Sequence, residues 1–156
     1  MMMNLSCDVL KALAGKTLVT AESCTGGGIG AALTAIPGSS SVYKGGIISY
    51  TNWVKENMLG VPAELLEQYG AVSEPVAKAM AEGVRERLQA DIAVSVTGLA
   101  GPDGDDRGNP VGLVFIGYAD CDKCYAAAFR FFGSREAVRE QAIIAALKII
   151  LQENPK

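Results

Sequence analysis

Apolar residues Leu5, Val9 and Ala12 recur at helical spacing between positions 4 and 14, and Gly15 follows as a residue suited to a left-handed stop, so the pattern predicts a first helix. The period then shortens. Lys16 to Ala21 reads as a strand, and Glu22-Ser23-Cys24-Thr25-Gly26-Gly27-Gly28 turns it into an Ala-rich helix that ends before Pro37-Gly38. Val42 to Tyr50 forms a second strand, in which Gly45-Gly46 points to a bulge or a close backbone approach. A short helix begins near Thr51, and Gly60-Val61-Pro62 closes it and opens another. Ser73 then caps a longer helix with the stripe Val76, Met80, Val84 and Leu88.

Ile92 to Val96 is nearly continuous apolar sequence, the pattern of a central strand covered on both faces, and it runs into a loop from Thr97 to Asn109. Val111 to Ala119 and Lys123 to Phe132 are two strands separated by about three residues, too few for a helical crossover, so they must pair as an antiparallel hairpin. Ser134 caps a last helix that is apolar almost all round from Ala142 to Leu151. The order of elements predicts an α/β fold: a three-layer α/β/α sandwich with a mixed sheet that includes the C-terminal antiparallel hairpin, in a single domain over 1–156. Lys148 alone interrupts the apolar surface of the last helix, so that helix is either central to its own core or covered by a second subunit, and a homo-oligomer is expected.

Composition narrows the function classes. There is no histidine among the 156 residues, which removes a Ser-His-Asp triad, a Cys-His pair and every His-ligated metal site. Any general base must be Lys, Asp, Glu or Tyr. The net charge of −3 provides no broad basic field for a nucleic acid or an anionic membrane. No apolar run reaches the roughly 18 residues of a membrane span, and the start of the chain lacks the regions of a signal peptide, so a cytoplasmic protein is expected. Cys7, Cys24, Cys121 and Cys124 are too scattered for a disulfide framework. Cys121-Asp122-Lys123-Cys124 offers two thiolates where a structural zinc needs four ligands, so no metal site and no cofactor are expected.

Four segments carry candidate chemistry. In Glu22-Ser23-Cys24-Thr25-Gly26-Gly27, a hydroxyl between a strand end and a helix start lies beside free backbone N–H groups that can hold an oxyanion or a phosphate; alternatively Ser23 or Thr25 only caps the helix. Cys24 lacks a histidine to activate it, so Ser23 ranks first as nucleophile. In Tyr50-Thr51-Asn52-Trp53-Val54-Lys55, Thr51 or Asn52 is the N-cap and Lys55 falls in the first turn, where the helix dipole disfavours an ammonium. A neutral Lys55 would be the base that activates Ser23, as in Ser-Lys hydrolases; otherwise it is a solvated surface lysine, and Tyr50 or Glu22 becomes the candidate base.

The third segment, Thr97-Gly98-Leu99-Ala100-Gly101-Pro102, leaves the carboxyl end of the central strand, where open α/β sheets bind ligands, or it is simply a surface turn. GxGxxG and GxxxxGK are both absent. In the fourth, Arg135 opens the last helix, an unfavourable place for a cation unless it meets an anion such as phosphate.

Taken in order, ESCTGG at 22–27, YTNxxK at 50–55, LGV at 59–61, GAVSEP at 70–75, TGLAGPDG at 97–104, NPVG at 109–112 and GSRxxVR at 133–139 resemble the CinA carboxy-terminal domain, the nicotinamide mononucleotide (NMN) deamidase family, in its stand-alone form. The resemblance implies hydrolysis of the NMN carboxamide to nicotinate mononucleotide and ammonia, without metal or cofactor. It implies Ser23 as nucleophile, Lys55 as its base and the Tyr50 hydroxyl in a proton relay. Thr97, with its neighbour Gly98, and Arg135 match ligand-binding positions, and Gly26 and Gly27 lie near the oxyanion or phosphate. Trp53 and Asp105 depart from the family pattern, which has a smaller or acidic residue and a glycine there. The competing class is a non-catalytic nucleotide-binding or regulatory module.

Overall fold

In the computed structural model, which describes residues 1–155, five strands pair into one open sheet of order β2-β1-β3-β4-β5. Lys156, the last residue of the expected domain, lies outside the described residues. The strands are β1 (Leu18–Glu22), β2 (Tyr43–Ile48), β3 (Ile92–Gly98), β4 (Leu113–Ala119) and β5 (Cys124–Arg130). The helices are α1 (Met2–Ala12), α2 (Gly28–Thr34), α3 (Asn52–Leu59), α4 (Ala63–Tyr69), α5 (Glu74–Arg87) and α6 (Arg135–Glu153). β1 lies between β2 and β3 and is parallel to both, while β4 and β5 add as an antiparallel hairpin. The sheet is therefore mixed, with helices on both faces.

The alternation along each strand decides which layer its side chains join. Leu18, Ile92, Val94, Val96, Val114 and Ile116 point to the face covered by α1, α2 and α6, where they meet Val9, Ile29, Leu33, Val138 and Leu147. Val19, Ala21 and Ala93 point to the other face and meet Leu59, Leu66, Val76, Met80 and Val84 of α3, α4 and α5. Close approach to α5 is possible because Gly117 of β4 has no side chain: a Cβ there would stand 2.5 Å from the Ala77 carbonyl oxygen and 2.4 Å from Ser95 Oγ. The Gly45-Gly46 pair gives both expected features. The β1–β2 register shifts between Leu18 and Val19, and a Cβ on Gly46 would stand 2.3 Å from Thr20 Oγ1.

Two local readings change. Thr97 and Gly98 belong to β3 rather than to a loop, because they pair with Phe115 and Val114 of β4. Ser73 holds the N-cap position of α5, but its hydroxyl donates to the Gly70 carbonyl, bracing the preceding turn instead of the helix. One face of α6 packs on its own chain: Val138, Ala142, Ala146, Leu147, Ile149 and Ile150 are buried, with Lys148 exposed. Among the described residues no helix is long and apolar enough to cross a membrane.

Strand order reverses at β1, with β2 reached through α2 on one face and β3 reached through α3–α5 on the other. The carboxyl ends of β1, β2 and β3 consequently open onto a crevice, the place where parallel α/β sheets bind ligands.

Candidate active site

A cavity of about 450 Å³ occupies this crevice, a size suited to a small-molecule ligand. Ser23 and Cys24 reach it from the end of β1, Tyr50, Asn52 and Lys55 from the β2–α3 corner, Thr97 and Gly98 from β3, and Arg135 from the start of α6. Leu99, Asp103 and Arg107 complete the wall made by the β3–β4 loop. Gly26 and Gly27 are outside the lining. They lie in the turn behind Ser23 in left-handed conformations, with φ of 57° and 97°.

Lys55 is buried because α3 starts where it does. Thr51 is the N-cap, its hydroxyl accepting from the Val54 amide, and from there the first turn directs Lys55 inward. Its side chain is 1% exposed. The ammonium position has three neighbours: Nζ is 2.8 Å from the Ser49 carbonyl, 3.3 Å from the Tyr50 carbonyl and 3.0 Å from Ser23 Oγ. Among the described residues no carboxylate is hydrogen-bonded or ion-paired to it, so desolvation outweighs the opposing effect of the neighbouring Cys24 thiol and pulls the amine down to about 8. A neutral amine has two N–H bonds and one lone pair. The two carbonyls can only accept, which leaves the Ser23 hydroxyl as the group able to donate into the lone pair.

Ser23 itself is 7% exposed, at the exit of β1, where its amide donates to the Val96 carbonyl. Among the described residues the amide of Cys24, the next residue, donates to no backbone carbonyl; its N–H faces its own thiol, a weak acceptor that a ligand oxygen can displace. Cys24 is a poor competitor as nucleophile, since burial pushes its thiol up to about 11.

Two residues support this turn in a way the sequence does not show: Glu22, read there only as an alternative base, and Arg139. Glu22, 2% exposed, accepts from the Ile29 and Gly30 amides at 2.8 and 3.1 Å and from the Thr25 hydroxyl at 2.7 Å. It also accepts from the Thr20 hydroxyl at 3.2 Å. Arg139, one turn beyond Arg135, donates to the Cys24 and Thr25 carbonyls at 3.0 and 3.2 Å. With both carboxylate oxygens engaged by α2 and its threonines, Glu22 is not placed to take a proton from Ser23.

The other candidate residues come together at the cavity's far side. The Tyr50 hydroxyl accepts from Arg135 Nη2 at 3.2 Å, and Arg135 Nη1 donates to the Gly101 carbonyl. It is thus the Tyr50 carbonyl, not its hydroxyl, that touches Lys55 and Ser23. Thr97 Oγ1 donates to the Ala71 carbonyl at 2.8 Å and can still accept. Gly98 is small for packing reasons: a Cβ would stand 2.6 Å from Val114 Cγ2. Asp105 accepts from the amides of Arg107 and Asn109 and from the Asn109 side chain, organising the loop. Arg107 reaches the last carbonyls of α4, donating to Gln68, Glu67 and Leu66. Cys121 sits in the β4–β5 turn and Cys124 opens β5, both outside the cavity, and all four cysteines are free thiols.

The family model of the CinA C-terminal domain matches residues 3–154. A CinA-like protein of Parasynechococcus marenigrum (strain WH8102) is 56% identical over 135 residues, covering 85% of this chain and 32% of the relative. Among solved structures, a competence-damaged protein (CinA) superfamily protein from Klebsiella pneumoniae is 35% identical, with a TM-score of 0.96 over 98% of this chain and 97% of that one. A CinA superfamily protein from Escherichia coli is 37% identical, with a TM-score of 0.96 over 98% of this chain and 90% of that one. The chain spans about a third of the length of the curated relatives it matches.

Proposed function

Since the chain belongs to the CinA C-terminal domain family, we propose that it is a nicotinamide-nucleotide amidohydrolase that converts NMN to nicotinate mononucleotide and ammonia by a Ser-Lys mechanism. The observation that carries this reading is the buried Lys55 amine 3.0 Å from Ser23 Oγ, with no carboxylate to hold it charged. Neutral Lys55 takes the Ser23 proton as Oγ attacks the carboxamide carbon. The Cys24 amide donates to the oxyanion that forms. Collapse breaks the C–N bond, Lys55 returns its proton to the nitrogen, and ammonia leaves an ester on Ser23. Water, deprotonated by Lys55, then attacks the ester; Lys55 returns that proton to Ser23 Oγ as the acyl–oxygen bond breaks, and the product leaves as the acid, which ionises to the carboxylate.

The nucleotide's phosphate is assigned to Arg135. The first amides of α2 are already occupied by Glu22, whereas Arg135 opens α6 at the cavity wall. Thr97, with an unused acceptor beside Gly98, contacts the bound nucleotide, and Gly26 and Gly27 supply the backbone freedom the Ser23 turn requires.

Ammonia release from NMN by wild type and by Ser23→Ala tests the reading. Turnover in wild type and its loss in a folded Ser23→Ala protein that still binds NMN is the expected result. A thermal shift with NMN but no ammonia from wild type would favour a non-catalytic nucleotide-binding module. The protein is further proposed to be a homo-oligomer. An apolar hollow between β5 and α6, lined by Phe129, Phe131, Ile144 and Ile149 and adjoined by the exposed Phe132, is the surface a second copy would cover. A monomeric mass by light scattering at micromolar concentration would refute this.

A further inference from the structure

We propose that Glu22 and Arg139 are opposed positioning residues that preset the Ser23 turn, Glu22 anchoring it to α2 from within the fold and Arg139 tethering its carbonyls to α6 from the outer side. The inference rests on Ser23 being the nucleophile.

The argument begins with where the turn's backbone groups go. Between β1 and α2 the chain bends through Ser23 to Gly27 with only two internal backbone bonds, Gly26 N to Ser23 O and Gly28 N to Thr25 O. Gly26 and Gly27 both adopt positive φ, so the local sequence is permissive and does not by itself select one conformation. Glu22 removes part of that freedom. Its carboxylate joins the residue before Ser23 to the amides of Ile29 and Gly30 and to the Thr25 hydroxyl, closing the turn on itself across seven and eight residues.

The anchor continues outward. Thr20, which donates to Glu22, lies 2.7 Å from the Tyr43 hydroxyl of β2. That hydroxyl has room only because Gly30 and Gly46 lack side chains; a Cβ at either would stand 2.6 or 2.8 Å from it. A hydrogen-bonded chain thus runs from the edge strand to Glu22, the residue before the nucleophile.

Arg139 acts on the opposite flank. Its Nε and Nη2 donate to two successive carbonyls, those of Cys24 and Thr25, which fixes the orientation of the peptide planes immediately after Ser23. Arg139 makes no contact with Lys55 and does not line the cavity. What it controls is the attitude of the Ser23 backbone toward the amine 3.0 Å away, a distance at which displacements of about 1 Å can cost on the order of 100-fold in rate.

The test reads Ser23 directly. A fluorophosphonate, which forms a covalent bond to an activated serine hydroxyl with loss of its leaving group, is followed by intact mass as a function of pH, alongside ammonia release from NMN and thermal melting. Glu22→Gln, Arg139→Met and Arg139→Lys are compared with wild type. The expected result is a labelling plateau and a kcat both lowered roughly 10- to 100-fold in Glu22→Gln and Arg139→Met. KM should stay within about twofold and the pH midpoint of labelling unchanged, since neither residue binds the phosphate. Arg139→Lys, able to reach one carbonyl at a time, should recover part of the plateau. Wild-type labelling plateaus in both variants, even with lowered melting temperatures, would overturn the inference and leave a structural role only. If Glu22→Gln does not fold, Arg139→Met, altered at a half-buried position on α6, decides alone. Wild type that is labelled at Ser23 but releases no ammonia from NMN would refute the proposed substrate while the labelling comparison still decides the positioning roles; absence of wild-type labelling would overturn the inference itself.

Discussion

Arg135 Nη2 donates to the Tyr50 hydroxyl at 3.2 Å across 85 residues of sequence, so the residue proposed to hold the phosphate and the residue that the family resemblance implies in proton transfer are each other's partner. On the proposed reading, an anion bound at Arg135 would compete for that guanidinium and free the hydroxyl to serve the reaction. Tyr50→Phe is therefore expected to lower kcat for NMN roughly 10- to 100-fold, with KM unchanged or slightly reduced because Arg135 loses a competing acceptor. Steady-state kinetics of the variant check this. An unchanged kcat would reduce Tyr50 to a partner of Arg135.

Lys55 makes the strongest pH prediction. Burial lowers its amine to about 8, so the neutral fraction and hence kcat/KM should rise with pH through about 8 and be indifferent to EDTA. Lys55→Arg, charged throughout, should be nearly as inactive as Lys55→Ala; substantial activity would eliminate Lys55 as base. Stability gives an independent reading. The amine titrates near 10.5 when unfolded and near 8 when folded, so the unfolded state binds the proton more tightly and the native state is penalised at pH values below 8. The penalty, ~3 kcal/mol at pH 7, declines as pH rises from 8 to 10.5. Lys55→Met should accordingly melt above wild type at pH 7, with the gap closing toward pH 10, as thermal scans across that range would show.

Arg135→Ala should raise KM for NMN more than it lowers kcat, because a phosphate remote from the amide is bound alike in ground and transition states. A charge-assisted bond of ~1.5–3 kcal/mol corresponds to a rise of roughly 10- to 150-fold. Comparing NMN with its dephosphorylated riboside on wild type isolates the same contact. Equal efficiency on the two would sink the phosphate assignment.

The layers and the Ser23–Lys55 pairing were legible because they follow from local rules. A hydroxyl at a strand-to-helix turn sits at a sheet's carboxyl end, and Thr51 as N-cap brings Lys55 into the first turn of α3. What was not legible depends on how distant elements cross. Arg139 meets the Cys24 and Thr25 carbonyls over separations of 115 and 114 residues, set by the packing of α6 beside α2, and no periodicity encodes that. Thr97-Gly98 reads as loop from composition, yet Gly98 ends a strand because its missing side chain leaves room for Val114 across the ladder. The resemblance implies the Tyr50 hydroxyl in the proton relay, and no local rule shows that the corner at Ser49–Thr51 turns its carbonyl to Lys55 and its hydroxyl to Arg135.

The occupation of the α2 amides by Glu22 has a consequence for what the cavity selects. With that helix start occupied from within, the α2 amides are not open to a ligand anion on the side of the nucleophile, and the Arg135 guanidinium is set at the head of α6. On the proposed reading the cavity works as a ruler: a substrate must be long enough to present an amide to Ser23 and an anionic tail to Arg135 at the same time. Free nicotinamide fills one end of the ruler and sugar phosphates the other, and each forfeits half of the recognition.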